Sequence, residues 1–374
     1  MSAVVHCANP FLPQTTVWMY DQIRTHKRYH PVVLTQFRQN AETFPFDKVY
    51  SAEDLSLLKR FYFRSVRKIC GTYAGYGKWI KEVEGKIIHA HFGQEGFRCL
   101  AAKKQTNIPM VTTFYGMDVS QLPRQPLWQK RYVRLFAEGD LFLAEGGHMA
   151  QELVDLGCLP GRVKVQHLGV DLEGMSFVSQ VDRDPDVSVV LTYAVFREKK
   201  GLIYALRAFA KIADVYPDVQ LRMIGEGSLR GELEAEIGKL RLQGKVVLLG
   251  LLSHEAALEE LQRASVLLYP SVTAADGDTE GGAPVALLEA QAVGTPVVSS
   301  FHADIPEILP HEKCGLLFPE RDVEGLASGL HALLGSTKLR DEVAKAGRIH
   351  VETEHSLNTQ AEKLETIYDG LLDK

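Results

Sequence analysis

At 374 residues, 45% hydrophobic and 24% charged, the chain is too long for one ordinary domain, and length divided by about 150 suggests two. No apolar run approaches the roughly 18 residues of a membrane-spanning helix, and the five cysteines (Cys7, Cys70, Cys99, Cys158, Cys314) are odd in number and lack any C-x-x-C, which reads as reduced thiols rather than disulfides or a zinc site. The net charge of −5 hides an asymmetry: residues 1–172 carry 22 basic and 15 acidic side chains, the remainder 20 and 32, so the amino half suits an anionic partner.

The opening MSAVVHC lacks the charged, apolar and cleavable layout of a secretory signal, so the mature chain is expected to begin there, in the cytoplasm. Short β-branched runs at 3–7, 31–35, 86–90, 110–113, 141–144 and 163–167 alternate with amphipathic stretches, and the pattern resumes at 187–193, 219–224, 245–249, 265–269 and 296–299. That is the rhythm of βα units around parallel sheets, and it predicts an α/β chain of two doubly wound layers. The longest apolar run, 246–252, reads as a buried strand. Helical spacing marks 202–215, 229–242, 255–263 and a final helix at 357–372 with no strand after it. The polar stretch 172–186 breaks the alternation, which divides the chain into domains at 1–172 and 187–355, with 356–374 packing back on the first.

Ligands of open α/β sheets bind beyond the carboxyl ends of the strands, so the loops there carry the chemistry. The most informative is Thr279-Glu280-Gly281-Gly282-Ala283-Pro284, just ahead of the helical run that contains Glu289. Glycines let backbone N–H groups approach a ligand, and a helix start suits an anion such as a diphosphate. Pro284 favours the first helical turn, and Glu289 can accept from paired sugar hydroxyls. An ordinary capped helix with a solvated glutamate fits the same residues.

The run EGGAPVALLEAQAVGTPVVSS resembles the signature of family-4 GT-B retaining glycosyltransferases. Further pieces follow in that family's order: AHFGQEG (90–96), VTTFYGMD (111–118), HLGVD (167–171), FREKKGL (196–202), IGEGSLR (224–230, with Gly225) and LYPS (268–271). They span nearly the whole chain, and the early segments look like those of bacterial exopolysaccharide transferases of the colanic-acid and amylovoran kind. The resemblance implies a GT-B fold of two Rossmann-like domains facing each other across a cleft, the first on the acceptor side and the second binding a nucleotide sugar. It implies that Glu289 binds the donor ribose, that Glu280 contacts the transferred sugar, that Gly225, Gly281, Gly282 and Ala283 line the donor, and that Lys200 pairs with the diphosphate. A fixed cation there stabilises the charge of the departing nucleoside diphosphate. UDP is the nucleotide the family most often uses, and GDP remains open.

Three positions depart from the family pattern. Eight residues separate the two glutamates where the family usually has seven, so the GGAP turn is one residue longer. The family's arginine aligns with Val195, leaving Arg197 as the nearest substitute. Tyr115 stands where the family has a histidine, and a phenol can hydrogen-bond but cannot carry positive charge near neutral pH.

His89 and His91 share one face of a strand that ends in a glycine turn, which makes His91 a candidate to touch substrate, or a satisfied structural residue. Asp118 either orients a ligand or caps its turn. Asp276-Gly277-Asp278 resembles the metal-binding D-x-D of the other glycosyltransferase fold, but it sits in a polar loop, and neither a metal nor a cofactor is expected. Segments 59–81 and 124–134 interleave Lys and Arg with aromatics, which suits either an anionic membrane surface and a lipid-linked saccharide acceptor or a charged face over a packed core; nucleic acid is not expected. Two other readings share the architecture: a nucleotide-sugar epimerase, and a silent subunit that binds donor without turnover.

Overall fold

The computed structural model describes residues 1–13, 17–183 and 188–373; residue 187, the expected start of the second domain, lies outside them. The chain forms two compact units, residues 1–169 with 357–374 and residues 170–356.

The first unit holds β1 (Ser2–Cys7), β2 (Tyr29–Thr35), β3 (Val49–Ser51), β4 (Gly85–His91), β5 (Met110–Thr113), β6 (Leu141–Ala144) and β7 (Val163–Val165). They form one parallel sheet in the order β3-β2-β1-β4-β5-β6-β7. Its central strands are buried on both faces because helices cover both sides, as parallel sheets require, and they are apolar except for a few residues such as His6, His89 and His91. On one face Phe97, Leu100, Tyr132, Leu135 and Phe142 pack with Val5 and Ile88. On the other the helix Leu357–Leu372 lays Leu364 and Tyr368 over Val4, Ile87, Val111 and Leu143. Glu365 fixes that helix by accepting from the backbone N–H groups of Lys27 and Arg28 at 2.6 and 2.8 Å.

The second unit holds β8 (Val189–Tyr193), β9 (Gln220–Ile224), β10 (Val246–Gly250), β11 (Val266–Tyr269), β12 (Val297–Ser300) and β13 (Gly315–Phe318), parallel in the order β10-β9-β8-β11-β12-β13. The apolar run at 246–252 is not a buried strand: β10 is the sheet edge, half-buried throughout, and Leu251 beyond it is 70% exposed. In contrast, Ala286 to Val293 of the helix Val285–Val293 are all buried, so this helix forms part of the core rather than a half-solvated surface.

The polar stretch after 172 packs on the second unit over its described part. Arg183 donates to the carbonyls of Leu261, Val293 and Gly294 at the carboxyl ends of two helices, adding to the bonds these groups already accept. Ser179 and Gln180 both bond Asp341. Among the described residues no helix is long and apolar enough to cross a membrane.

Candidate active site

In the second sheet the winding reverses between β8 and β11, so the loops that leave these neighbouring strands diverge and open a crevice at their carboxyl ends. Two glycines let the loops approach closely. Gly201 has φ +63°, and a Cβ there would lie 1.8 Å from the Pro270 carbonyl oxygen. Gly225 has φ +138°, and its Cβ would lie 1.9 Å from that of Ala194. Neither position accommodates a side chain.

Lys200, on the turn Glu198–Lys200, reaches from the β8 loop to the β11 loop. Its Nζ donates to Glu280 Oε2 and to the Tyr269 hydroxyl, each at 2.6 Å. Ser271 Oγ donates to the other Glu280 oxygen at 2.6 Å. Burial pushes the Glu280 carboxyl up, but the charges of Lys200 and Lys199 and the hydrogen bonds from Lys200 and Ser271 outweigh it, leaving the group below its ordinary value. Lys199 braces the same loop, with Nζ 3.2 Å from Asp278 Oδ1 and 2.8 Å from the Thr279 carbonyl oxygen. Asp276 accepts from the Asp278 N–H at 2.9 Å. Both members of the D-x-D pair thus have partners within the protein.

Gly281, Gly282, Ala283 and Pro284 form the buried turn into the helix Val285–Val293, which carries Glu289. His254 Nε2 donates to Glu289 Oε1 at 2.7 Å. Glu289 Oε2 is buried and has no hydrogen-bond partner among the described residues. A buried carboxylate oxygen left unpaired costs free energy, and a ligand hydroxyl would recover it. The Tyr193 phenol, at the end of β8, is pushed up by burial and by the Glu289 charge.

The first unit gathers its own cluster where its winding reverses, between β1 and β4. Tyr115 OH lies 2.6 Å from His91 Nδ1, His91 Nε2 lies 3.0 Å from His6 Nδ1, and His6 Nε2 lies 3.2 Å from His26 Nε2. His26 Nδ1 points at Glu365 Oε1, 3.7 Å away. With Tyr115 as first donor, His91 and His6 each accept at one nitrogen and donate from the other, so the row runs with every ring neutral as far as His26, whose Nδ1 faces the Glu365 carboxylate without a hydrogen bond to it. Burial lowers all of them, His91 to about 3 and His26 to about 4. His6, His89 and His91 offer nitrogens within 4.8 Å of one another, close enough for a cation. However, the rings of His89 and His91 stack at 4.4 Å and 17°, and both His89 nitrogens are taken, by Tyr368 and Thr113. These lone pairs do not converge on one point.

The structure thus joins Lys200 and Glu280 in one buried pair and places Glu289 in the helix that follows the Glu280 turn. Arg197 stands exposed on the Lys200 turn, outside the buried bonds. His91 is fully buried, its two nitrogens bonded to Tyr115 and His6. Of the two readings of Asp118, the geometry favours the turn: the carboxylate is fully buried and accepts from the N–H groups of Gly93, Tyr115 and Gly116, so it shapes two loops. Tyr269, Ser271, His254, His6 and His26 were missed. Tyr269 and Ser271 lie within LYPS, a motif whose position at a strand's carboxyl end was the available signal. The partners of His6, His26 and His254 are distant in sequence, and no local pattern reports them.

Two family models match the chain, one described as Glycosyltransferase Family 4 over residues 24–173 and one as Glycosyl transferases group 1 over 177–350. The amylovoran biosynthesis glycosyltransferase AmsK of Erwinia amylovora is 35% identical over 295 residues, 78% of this chain and 72% of that protein. WcaL of Escherichia coli (strain K12), named as a candidate colanic acid biosynthesis glycosyltransferase, is 33% identical over 316 residues, 84% of this chain and 74% of that one. HepE of Anabaena, solved in complex with UDP, shares the GT-B fold at a TM-score of 0.79 and 16% identity, covering 99% of this chain and 100% of that one.

Proposed function

This chain belongs to the group 1 and family 4 glycosyltransferases, and on that premise we propose that it moves a sugar from a nucleotide-sugar donor, a UDP-sugar by preference, onto a saccharide in bacterial exopolysaccharide assembly. The observation that carries the reading is the convergence, at one switch point, of a half-buried lysine paired with one buried glutamate and a second glutamate with an unpartnered oxygen. Glu289 Oε2 would accept from the donor ribose, Lys200 would exchange part of its bond to Glu280 for the diphosphate, and Glu280 would orient hydroxyls of the transferred sugar. The relatives named for amylovoran and colanic acid, and the UDP held by HepE, favour this donor and product class.

The reaction we favour retains the anomeric configuration. The acceptor hydroxyl attacks the anomeric carbon from the leaving-group side while the bond to the phosphate oxygen breaks. The electron pair stays on that oxygen, which takes the acceptor's proton. Such a step depends on positioning and fixed charge rather than on a side-chain base. Lys200 supplies the positive charge, so the proposal requires no divalent metal.

The acceptor is proposed to be lipid-linked, with the protein held at an anionic membrane surface by the helix Leu57–Cys70. Only Phe63 of this helix is buried, while Leu57, Leu58, Phe61, Tyr62 and Ile69 are 60% exposed or more. At about 100° per residue these five lie within one arc of roughly 140°, with Lys68 inside it and Arg64 and Lys59 flanking it. The sequence expectation is narrowed here. Tyr73, Tyr76, Trp128 and Tyr132 are core residues, not surface aromatics. The second basic segment contributes Arg124, Lys130 and Arg134 with exposed Leu127 and Val133.

The test is turnover of a panel of UDP- and GDP-sugars with EDTA present and membrane lipid extract as acceptor source. Release of nucleoside diphosphate together with a mass-shifted lipid, lost in Lys200→Ala and Glu289→Ala, supports the proposal. Consumption of no donor in the panel contradicts it.

A further inference from the structure

We infer that His302 and Glu320 are positioning residues that fix the backbone of the Glu280 turn, an inference that rests on the donor-site reading above. His302 follows β12, and its side chain is 2% exposed. The Glu280 N–H donates to His302 Nε2 at 3.0 Å. A backbone N–H can only donate, so Nε2 must be the bare nitrogen and Nδ1 must carry the proton. That proton goes to Glu320 Oε1, 2.6 Å away. The carboxylate is itself held: Glu320 accepts from the Thr273 N–H at 2.9 Å and the Thr273 hydroxyl at 3.1 Å, and it pairs with Arg321 at 2.9 Å. The loop after β13 is thereby tied to both ends of the loop after β11, with the imidazole as the link to its far end.

These contacts complete the control of one residue. The Glu280 side chain is set by Lys200 and Ser271, its N–H by His302, and the carbonyl just before it by Lys199. The need for outside anchors follows from the sequence. The turn between the two glutamates is one residue longer than the resemblance predicts, and a longer loop has more conformations to exclude before a carboxylate stands in one place. A donor bond at the Glu280 backbone removes freedom where it matters, next to the proposed sugar contact. The residue after His302 is itself strained: Ala303 holds φ +45°, a left-handed conformation uncommon for a residue with a Cβ.

A positioning role separates sugar chemistry from nucleotide binding, because ribose and diphosphate are assigned to Glu289 and Lys200. The experiment compares wild type, Glu280→Gln, His302→Phe, His302→Gln and Glu320→Gln. It measures nucleoside diphosphate release from the UDP- and GDP-sugar panel, and the affinity for UDP and GDP by calorimetry. His302→Phe keeps the shape and removes the acceptor; it should lower kcat at least about tenfold with nucleotide affinity changed less than about twofold. His302→Gln keeps an acceptor oxygen at the same reach and should recover most of the rate, and Glu320→Gln should fall between. Full turnover by His302→Phe beside an impaired Glu280→Gln overturns this inference alone, as does parallel loss of turnover and nucleotide affinity. Full turnover by Glu280→Gln removes the donor-site reading, and the inference with it.

Discussion

Lys200 Nζ lies 2.6 Å from Glu280 Oε2, in an ion pair whose side chains are only 15% and 4% exposed. Removing one partner strands the other as a buried charge, which typically costs about 3–5 kcal/mol. Lys200→Ala is therefore expected to lower the urea midpoint, and the double variant Lys200→Ala/Glu280→Gln to regain much of it. Turnover should stay at least about a hundredfold down in both, because the charge that stabilises the departing diphosphate is gone in each. Stability and activity recovering together would mean that Lys200 serves the fold alone.

Glu289 presents one carboxylate oxygen to His254 and leaves the other buried without a partner among the described residues. A hydrogen bond from a ligand to a charged group is worth about 1.5–3 kcal/mol, or roughly 10–150-fold in affinity. Glu289→Gln should weaken UDP binding by that order. The same change should leave the nucleotide-free protein as stable as the wild type or more so, since it removes a partly unpaired buried charge. Thermal melts with and without UDP separate the two effects.

The histidine row in the first unit sets a pH dependence whose direction is fixed. His26 and His91 titrate at about 4 and about 3, and His6 and His89 are also held well below their ordinary value, all by burial first. Below about pH 6.5 the unfolded chain binds protons at these positions that the folded chain refuses, so stability falls as pH falls. The loss is about 1.4 kcal/mol per pH unit for each such histidine. Between pH 6.5 and 5, before most carboxylates titrate, the urea midpoint should drop steeply, and His26→Gln should flatten the slope by about one proton. A flat profile over that window contradicts the neutral row.

The helix Leu57–Cys70 gives the membrane proposal a direct readout. Leu58→Glu/Phe61→Glu should lower sedimentation with phosphatidylserine-containing vesicles at least about tenfold, and added salt should weaken the wild type's binding by screening its lysines and arginines. UDP affinity should not change. Equal vesicle binding by both proteins removes the surface role.

Most of the strand pattern was legible because central parallel strands read as β-branched runs; β5 and β6 fall where the sequence places them. β3 and β13 were missed for opposite reasons. Val49–Ser51 is too short to show a pattern, and Gly315–Phe318 starts at a glycine within a polar neighbourhood. The apolar run at 246–252 misled because an edge strand can be rich in valine and leucine and still stay half-exposed. At the candidate site, Lys200, Glu280 and Glu289 were singled out by the family motifs in which they sit. His302, His254 and His6 were not, because each acts on a residue at least 22 positions away, and a lone histidine in sequence reads the same whether it holds a loop or faces water. Asp118 was open between two roles until its three N–H donors decided it.

The most direct test of the central claim is calorimetric titration of UDP into wild type, Glu289→Ala and Lys200→Ala with EDTA present. The account predicts binding to the wild type that weakens at least about tenfold in each variant. UDP binding that is equally tight in all three, or absent from the wild type while GDP is also refused, would contradict a nucleotide-sugar site at the β8–β11 switch point.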